Sequence, residues 1–206
     1  MEKNIITITG YSCSGKSTLI NEIIKQYNFD VIRFGEIHKE CVKNNGYLFA
    51  KDWIREKGFR SYENQLLLAF KKKILLLDSD SLESNNIIID GIFSDKCFRL
   101  LRSLSRINLT NIVLSTNYQN RVDRMMGRHH MSYEEAVKHL HTTDSIKKEA
   151  GVSDILIDYD YMIDGNKRVE DIRERCSLII NGLEIPRNKE KNIKQERDLR
   201  WYEWLE

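Results

Sequence analysis

The chain has 206 residues, 41% of them hydrophobic, which suffices for one buried core of ordinary domain size and leaves too little for two independent ones. Its 33 basic and 31 acidic residues leave a formal charge of +2, which excludes a global field pulling it onto nucleic acid or a membrane; any preference for anions is local. Four cysteines, Cys13, Cys41, Cys97 and Cys176, stand far apart without a C-x-x-C pair, which argues against a zinc ribbon or a disulfide scaffold and fits the reducing cytoplasm.

The opening MEKNIITITG has a short apolar run and no small-residue cleavage site, and no window approaches the roughly 18 apolar residues of a membrane span, so a soluble, unprocessed protein is expected. Residues 4–9, NIITIT, are β-branched and apolar on both faces, as in a strand buried on both sides of a parallel sheet. A helix is expected from Lys16 to Tyr27, a second strand over FDVIRFG (29–35), and a helix over EIHKECVKNNG with Gly46 past its end. From Ser61 to Leu77, the residues Tyr62, Leu66, Phe70, Ile74 and Leu77 recur three or four apart, which predicts a core-facing helix. A polar loop, SDSLESNN (79–86), leads to a third buried strand, IIIDGIF (87–93), a helix over DKCFRLLRSLSR (95–106) and a fourth strand, TNIVLST (110–116). Helices follow over 120–128 and from Ser132, where Ser132 and Glu135 have capping-box spacing. YDYMID (159–164) is the last strand and Val169 to Asn181 the last helix.

Strands alternating with helices imply right-handed crossovers and an α/β fold, a three-layer α/β/α sandwich around a parallel five-stranded sheet. Pro186, the only proline, closes a core of residues 1–186. The charged tail 187–206 gathers Leu199, Trp201, Tyr202, Trp204 and Leu205, and reads as an amphipathic helix docked on its own core, the alternative being an oligomer or partner contact.

Between the first strand and its helix lies ITGYSCSGKSTLI, which matches G-x-x-x-x-G-K-[ST] with Gly10, Gly15, Lys16 and Ser17. Glycines there allow backbone angles a side chain forbids, so the N–H groups of the loop, Ser12, Cys13 and Ser14 included, turn inward around an anion at a helix N-terminus. The anion expected is the polyphosphate of ATP, with Lys16 on the β- and γ-phosphates, Ser17 on Mg²⁺ and Thr18 on the α-phosphate. Cys13 reads as a backbone contributor, the alternative being an oxidation-sensitive thiol. GTPases carry an [NT]-K-x-D run and ABC subunits an L-S-G-G-Q segment; neither is present, which leaves small-molecule kinases.

From there the chain resembles the nucleoside monophosphate kinase superfamily of P-loop proteins, over about residues 5 to 180. RFGEIHKE (33–40) is similar to the S-x-G-[DE]-[ILV]-x-R-E segment of adenylate and cytidylate kinases. The resemblance implies that Glu36 orders Mg²⁺-bound water and that Lys39, standing where the family has arginine, meets the acceptor phosphate without a guanidinium's two-pronged grip. IIIDGIFSD (87–95) resembles both D-G-F-P-R of adenylate kinases and D-G-[IV]-R-S of archaeal dephospho-CoA kinase-like proteins. Asp90, an acid at a strand end beside the loop, is the candidate partner of Mg²⁺ or base toward the acceptor hydroxyl, the alternative being a cap of the next helix. The family's acceptor-phosphate arginine is replaced by Phe93 and Ser94, for which Arg33, Lys96 or Arg60 would compensate. NRVDRMMGRHH (120–130) is similar to the family's lid, with Arg121, Arg124 and Arg128 at helical spacing closing over the transferring phosphoryl group, against the alternative of a solvated basic face. Beyond it, only Lys147 and Lys148 offer a further lid cation. Gly165, Asn166 and Lys167 take the place of the loop beside the donor base.

The resemblance thus implies an acceptor-binding region over 36–80, a lid over 120–150, Mg²⁺ on Ser17, Glu36 and Asp90, and catalysis by Lys16, Asp90 and the three lid arginines. The expected reaction is transfer from ATP to a nucleotide-like small molecule, with dephospho-CoA kinase and a catalytically weakened NTP-binding regulatory module as alternatives. His129, His130, His139 and His141 lack zinc-like spacing and read as titratable lid residues. FKKKILLL reads as a solvated helix face, and no nucleic-acid groove is expected.

Overall fold

In the computed structural model, residues 3–75 and 85–185 are described. Five strands, β1 (Lys3–Thr9), β2 (Asp30–Arg33), β3 (Asn86–Asp90), β4 (Ile107–Ser115) and β5 (Tyr161–Asp164), form one parallel sheet in the order β2-β3-β1-β4-β5. Around it lie α1 (Lys16–Gln26), α2 (Phe34–Asn44), α3 (Ala50–Lys57), α4 (Phe59–Leu75), α5 (Asp95–Arg102), α6 (Tyr118–His129), α7 (Tyr133–Glu149), α8 (Val152–Ile157) and α9 (Val169–Gly182). The expected three-layer sandwich is the observed one.

Side-chain alternation in the central strands divides the core into two layers. Ile5, Ile87 and Ile89 point to a layer shared with Phe34, Trp53, Tyr62, Leu66, Phe70 and Phe98, under α2, α4 and α5. Ile6, Ile8 and Ile88 point the opposite way, to Leu19, Ile23, Cys176 and Ile180 of α1 and α9. Because apolar side chains are needed on both faces, these strands read as unbroken apolar runs. A third cluster, Val122, Met125, Ala136 and Leu140, holds α6 against α7.

The sheet registers pair Arg33 and Ile8 with Asp90, Thr9 with Val113, and Ser115 with Asp164, which brings the carboxyl ends of all five strands to one edge. In open parallel sheets that edge is where ligands bind. A buried polar network ties two of its neighbours together. Thr7 and Thr9 hydroxyls donate to Asn111 Oδ1 at 2.9 and 3.0 Å, and Asn111 Nδ2 donates to the carbonyls of Ile155 and Asp158. The strand leading into the glycine loop is thereby fixed to the turn before β5.

The structure departs from the sequence expectations at several boundaries. β3 stops at Asp90 instead of Phe93, because Gly91 turns the chain with φ +73. α5 stops at Arg102, and the residues from Ile107 join β4. α3 and α8 were not expected. Leu77, residues 79–84 of the polar loop and the tail 187–206 lie outside the described residues. Among the described residues no helix is long and apolar enough to cross a membrane, and all four cysteines are free thiols.

Candidate active site

The loop between β1 and α1 carries the feature on which the site depends: its carbonyls are engaged by side chains. Tyr11 O accepts from Lys16 Nζ at 2.8 Å, and Ser12 O accepts from Arg121 Nη1 at 3.2 Å. Cys13 O and Ser14 O accept from Arg124 Nη1 at 3.4 and 2.8 Å, and Thr116 Oγ1 also donates to Ser14 O at 2.9 Å. Gly15 O accepts the amide of Leu19. Among the described residues, the N–H groups of Ser12, Cys13, Gly15, Lys16, Ser17 and Thr18 have no protein acceptor; only Ser14 N has one, Tyr11 O at 3.3 Å. Helix α1 starts at Gly15 with no side-chain cap and no acid in its first turn, so its positive end is left to an incoming anion.

Gly10 has φ +149, and a Cβ there would stand 2.7 Å from the Leu114 carbonyl oxygen and 2.8 Å from Ser14 Oγ. Gly10→Ala is therefore expected to weaken Mg–ATP binding and to lower stability by roughly 1–3 kcal/mol. Denaturant unfolding and calorimetry on the same sample would check both.

Lys16 is buried, and its ammonium also donates to Ser14 Oγ at 3.3 Å. Burial pushes its pKa down and the neighbouring Asp90 carboxylate pulls it back up. Ser17 Oγ donates to Asp90 Oδ2 at 3.4 Å, so a hydroxyl and a carboxylate oxygen face each other beside the loop. Hard oxygen donors of this kind suit Mg²⁺. Asp90 does not cap the next helix; Ser94 does, its hydroxyl accepting from Cys97 N.

Arg121 and Arg124 of α6 both donate to carbonyls of the loop. Arg124 bridges two distant segments, donating from Nη1 to the loop and from Nη2 to Gly165 O at 2.7 Å. Arg121 forms a buried ion pair with Asp144 of α7 at 2.7 Å, both residues being less than one-tenth exposed. Its guanidinium also lies 5.0 Å from the Tyr11 ring and 5.3 Å from that of Tyr118. A cavity of about 230 Å³ opens beside these residues. Arg128 is exposed at the end of α6. Gly165 packs so closely that a Cβ would fall 2.1 Å from Thr116 Oγ1. Asn166 accepts from Asn117 N and Asn120 Nδ2, both at 3.0 Å, which fastens its loop to the start of α6.

On the expected acceptor side, Glu36 and Lys39 are exposed on α2, and between them Ile37 is buried and His38 half-buried. The His38 side chain lies among aromatic rings. Its ring stands edge-on to Tyr62 and Phe93, at 5.7 and 5.5 Å. Burial first, then Lys147 and Lys39, bring its pKa down to about 4. Phe93, where the resemblance has arginine near, is buried against Phe34 at 4.9 Å. Arg33 and Arg60 are exposed, and Lys96 pairs with Glu63 of α4. The structure thus brings Lys16, Ser17, Asp90, Arg121, Arg124 and Gly165 together at one edge; Arg33 joins Asp90 there through the β2–β3 register with its own side chain exposed, and Glu36, Lys39 and Lys96 make no hydrogen bond or ion pair with this group among the described residues. Among the described residues no group of three or more His, Cys, Asp or Glu side chains could hold a metal ion.

Sequence reasoning missed Tyr11, Thr116 and Asp144. Asp144 had a signal. It continues the four-residue spacing of Ala136 and Leu140, the buried face of α7, and a carboxylate on an apolar stripe requires a buried partner.

Comparison with known proteins agrees with this fold. A family model described as AAA domain matches residues 6–150. No curated protein matches the chain. Among solved structures, TT1252 from Thermus thermophilus superposes with a TM-score of 0.61 at 16% identity, over 89% of this chain and 99% of that one. Shikimate kinase from Aquifex aeolicus gives 0.51 at 17% identity, over 87% and 98%. A sugar kinase from Janibacter sp. gives 0.53 at 15% identity, over 88% and 95%. At such identities the likeness is one of fold.

Proposed function

The chain belongs to the AAA-domain family, and from that premise we propose that it is an ATP-dependent phosphotransferase, moving the γ-phosphoryl group to a small-molecule acceptor, a nucleoside or deoxynucleoside monophosphate. The observation that supports this reading is the set of loop amides at the start of α1 that have no protein acceptor among the described residues, beside a buried lysine and a hydroxyl–carboxylate pair. Such a cradle fits a polyphosphate and gains nothing from an uncharged ligand.

In this reading the amides of residues 12–18 and the Lys16 ammonium hold the donor phosphates. Lys16 moves from Tyr11 O and Ser14 Oγ to the β- and γ-oxygens. Ser17 and Asp90 would hold Mg²⁺, which when bound supplies positive charge against the phosphates; Glu36 orders water from α2. A monophosphate would attack through an ionised phosphate oxygen, which needs no base; Asp90 would accept a proton only from a hydroxyl acceptor. Arg121 and Arg124 act through the loop, keeping its carbonyls turned away so that the amides need no reorganisation during transfer. The loop at Gly165 and Asn166, fixed to Arg124 and α6, lies beside the donor base. Arg33, Lys39, Lys96 and Arg128 reach the reactants only through movement of α2, α5 and α6.

A second reading is favoured by one observation. Phe93 closes with Phe34 and His38 an apolar wall where a monophosphate would need a cation. It has the acceptor attack through a hydroxyl in place of a phosphate oxygen, as dephospho-CoA, a sugar or a shikimate-like ring would, or has no acceptor at all in a regulatory nucleotide-binding module. A screen of monophosphates, dephospho-CoA, shikimate and simple sugars for ADP release in the presence of Mg–ATP tests this. Turnover with a monophosphate is expected. Turnover only with dephospho-CoA, shikimate or a sugar reassigns the acceptor, and ATP uptake without any acceptor-stimulated turnover overturns the enzyme reading.

A further inference from the structure

The sheet has two edges, and they are finished differently. Of the residues of β2 only Arg33 is exposed. β5 pairs with β4 alone among the described residues, and the chain that leads into and forms it shows large apolar side chains: Ile157 (77% exposed), Tyr159 (46%), Tyr161 (39%) and Met162 (47%). An unpaired strand with apolar side chains invites another segment of chain, and folded proteins cover or charge such an edge. Beside it, a groove of about 740 Å³ runs between α5 and α8 with Phe98 and Ile157 in its wall. The strip is also acidic: Asp154, Asp158, Asp160 and Asp164 are exposed, and no basic residue occurs between Val152 and Asn166. We propose that this edge is the docking surface of the chain's own residues 187–206, with Leu199, Trp201, Tyr202, Trp204 and Leu205 covering the apolar strip. The inference is independent of the phosphotransferase reading.

Reach, charge and the character of the other apolar surfaces select this occupant. The described chain ends at Ile185, buried beyond α9 in the same core layer as Ile163 of β5, and α9 packs on β5. The 14 residues of α9 span about 21 Å, whereas residues 187–206 would span about 30 Å even if wound entirely into a helix, which is enough to return to the strand. Residues 187–200 hold six basic residues, Arg187, Lys189, Lys191, Lys194, Arg197 and Arg200, against three acidic ones, so a basic stretch meets an acidic strip. Arg102 already pairs with Asp158, which leaves the other three aspartates without a basic side chain in ion-pair distance among the described residues. A second copy would instead bring the same patch against itself, with aspartates facing aspartates. The other exposed apolar side chains lie among lysines: Leu68 and Leu75 share α4 with exposed Lys71, Lys72 and Lys73, and the Lys51 ammonium stands 5.2 Å from the centre of the Phe49 ring. Those surfaces repel a basic segment.

The test is acrylamide quenching of tryptophan emission in the full-length protein, with hydrogen exchange of residues 157–164 and light scattering read on the same samples. Trp53 is buried in the core and shielded from the quencher, so changes report Trp201 and Trp204. Wild type is expected to be a monomer with all three tryptophans shielded. Ile157→Lys with Met162→Lys changes two exposed positions outside the core, and is expected to raise quenching severalfold by removing apolar contact and adding positive charge against the basic segment. Trp201→Ser with Trp204→Ser is expected to speed exchange over residues 157–164 by about tenfold or more, and it carries the test if the edge variant fails to fold. Quenching in wild type as free as in the edge variant overturns the inference, and so does exchange at the edge that ignores the tryptophan substitutions. Protection of the edge that rises with protein concentration, together with a dimer in light scattering, assigns the surface to a second copy and overturns the inference as well.

Discussion

Lys16→Ala is expected to abolish phosphoryl transfer, by about a thousandfold or more, with the fold intact. Nothing in the core depends on the side chain: its hydrogen bonds go to Tyr11 O and Ser14 Oγ, within its own loop. Burial disfavours its charge, so the melting temperature is expected to stay or rise on substitution. Initial rates of ADP formation together with a thermal melt would check the pair of outcomes. Full activity in this variant would remove the loop from the chemistry.

The largest effect on stability is expected at Asp144. Asp144→Ala leaves the Arg121 guanidinium buried with Ser12 O as its remaining acceptor, and breaking a buried pair from one side costs about 3–5 kcal/mol. Removing both charges is a different experiment. Arg121→Met with Asp144→Leu is expected to recover most of that loss, because two apolar side chains need no solvation. The double variant would nevertheless bind Mg–ATP more weakly, since Ser12 O loses the donor that holds it outward. Urea midpoints separate the first effect from the second, which calorimetry reads. A double variant no more stable than Asp144→Ala would mean that the ion pair is not the source of the loss.

Much of this was legible in the sequence where local chemistry and tertiary placement agree. NIITIT reads as a strand covered on both faces and is one, the glycines and lysine after it form the turn between β1 and α1 that their motif calls for, and the capping box at Ser132 and Glu135 sits where its spacing put it, with both reciprocal hydrogen bonds made. The helix with Tyr62, Leu66, Phe70 and Ile74 inward was readable from its period alone. Short elements were not. α8 is six residues of VSDILI, whose β-branched content favours a strand as much as a helix, and α3 starts at Ala50 without a side-chain cap. In the site, the loop and Asp90 were readable because their chemistry is contained in consecutive residues. What Arg121 and Arg124 do was not. An arginine's spacing on a helix says which face it shares, and only the packing of α6 against the loop decides that its partners are main-chain carbonyls.

Those carbonyl partners lie more than a hundred positions downstream of the loop they steady, at Thr116, Arg121 and Arg124, and Arg124 reaches on to Gly165. The phosphate cradle is therefore not a portable cassette. Residues 10–18 grafted into a foreign scaffold would arrive without their outriggers and would be free to point oxygens where nitrogens belong. By the same token, a truncation that spared the entire loop but removed the segment around Gly165 would disturb ligand capture from the opposite end of the polypeptide.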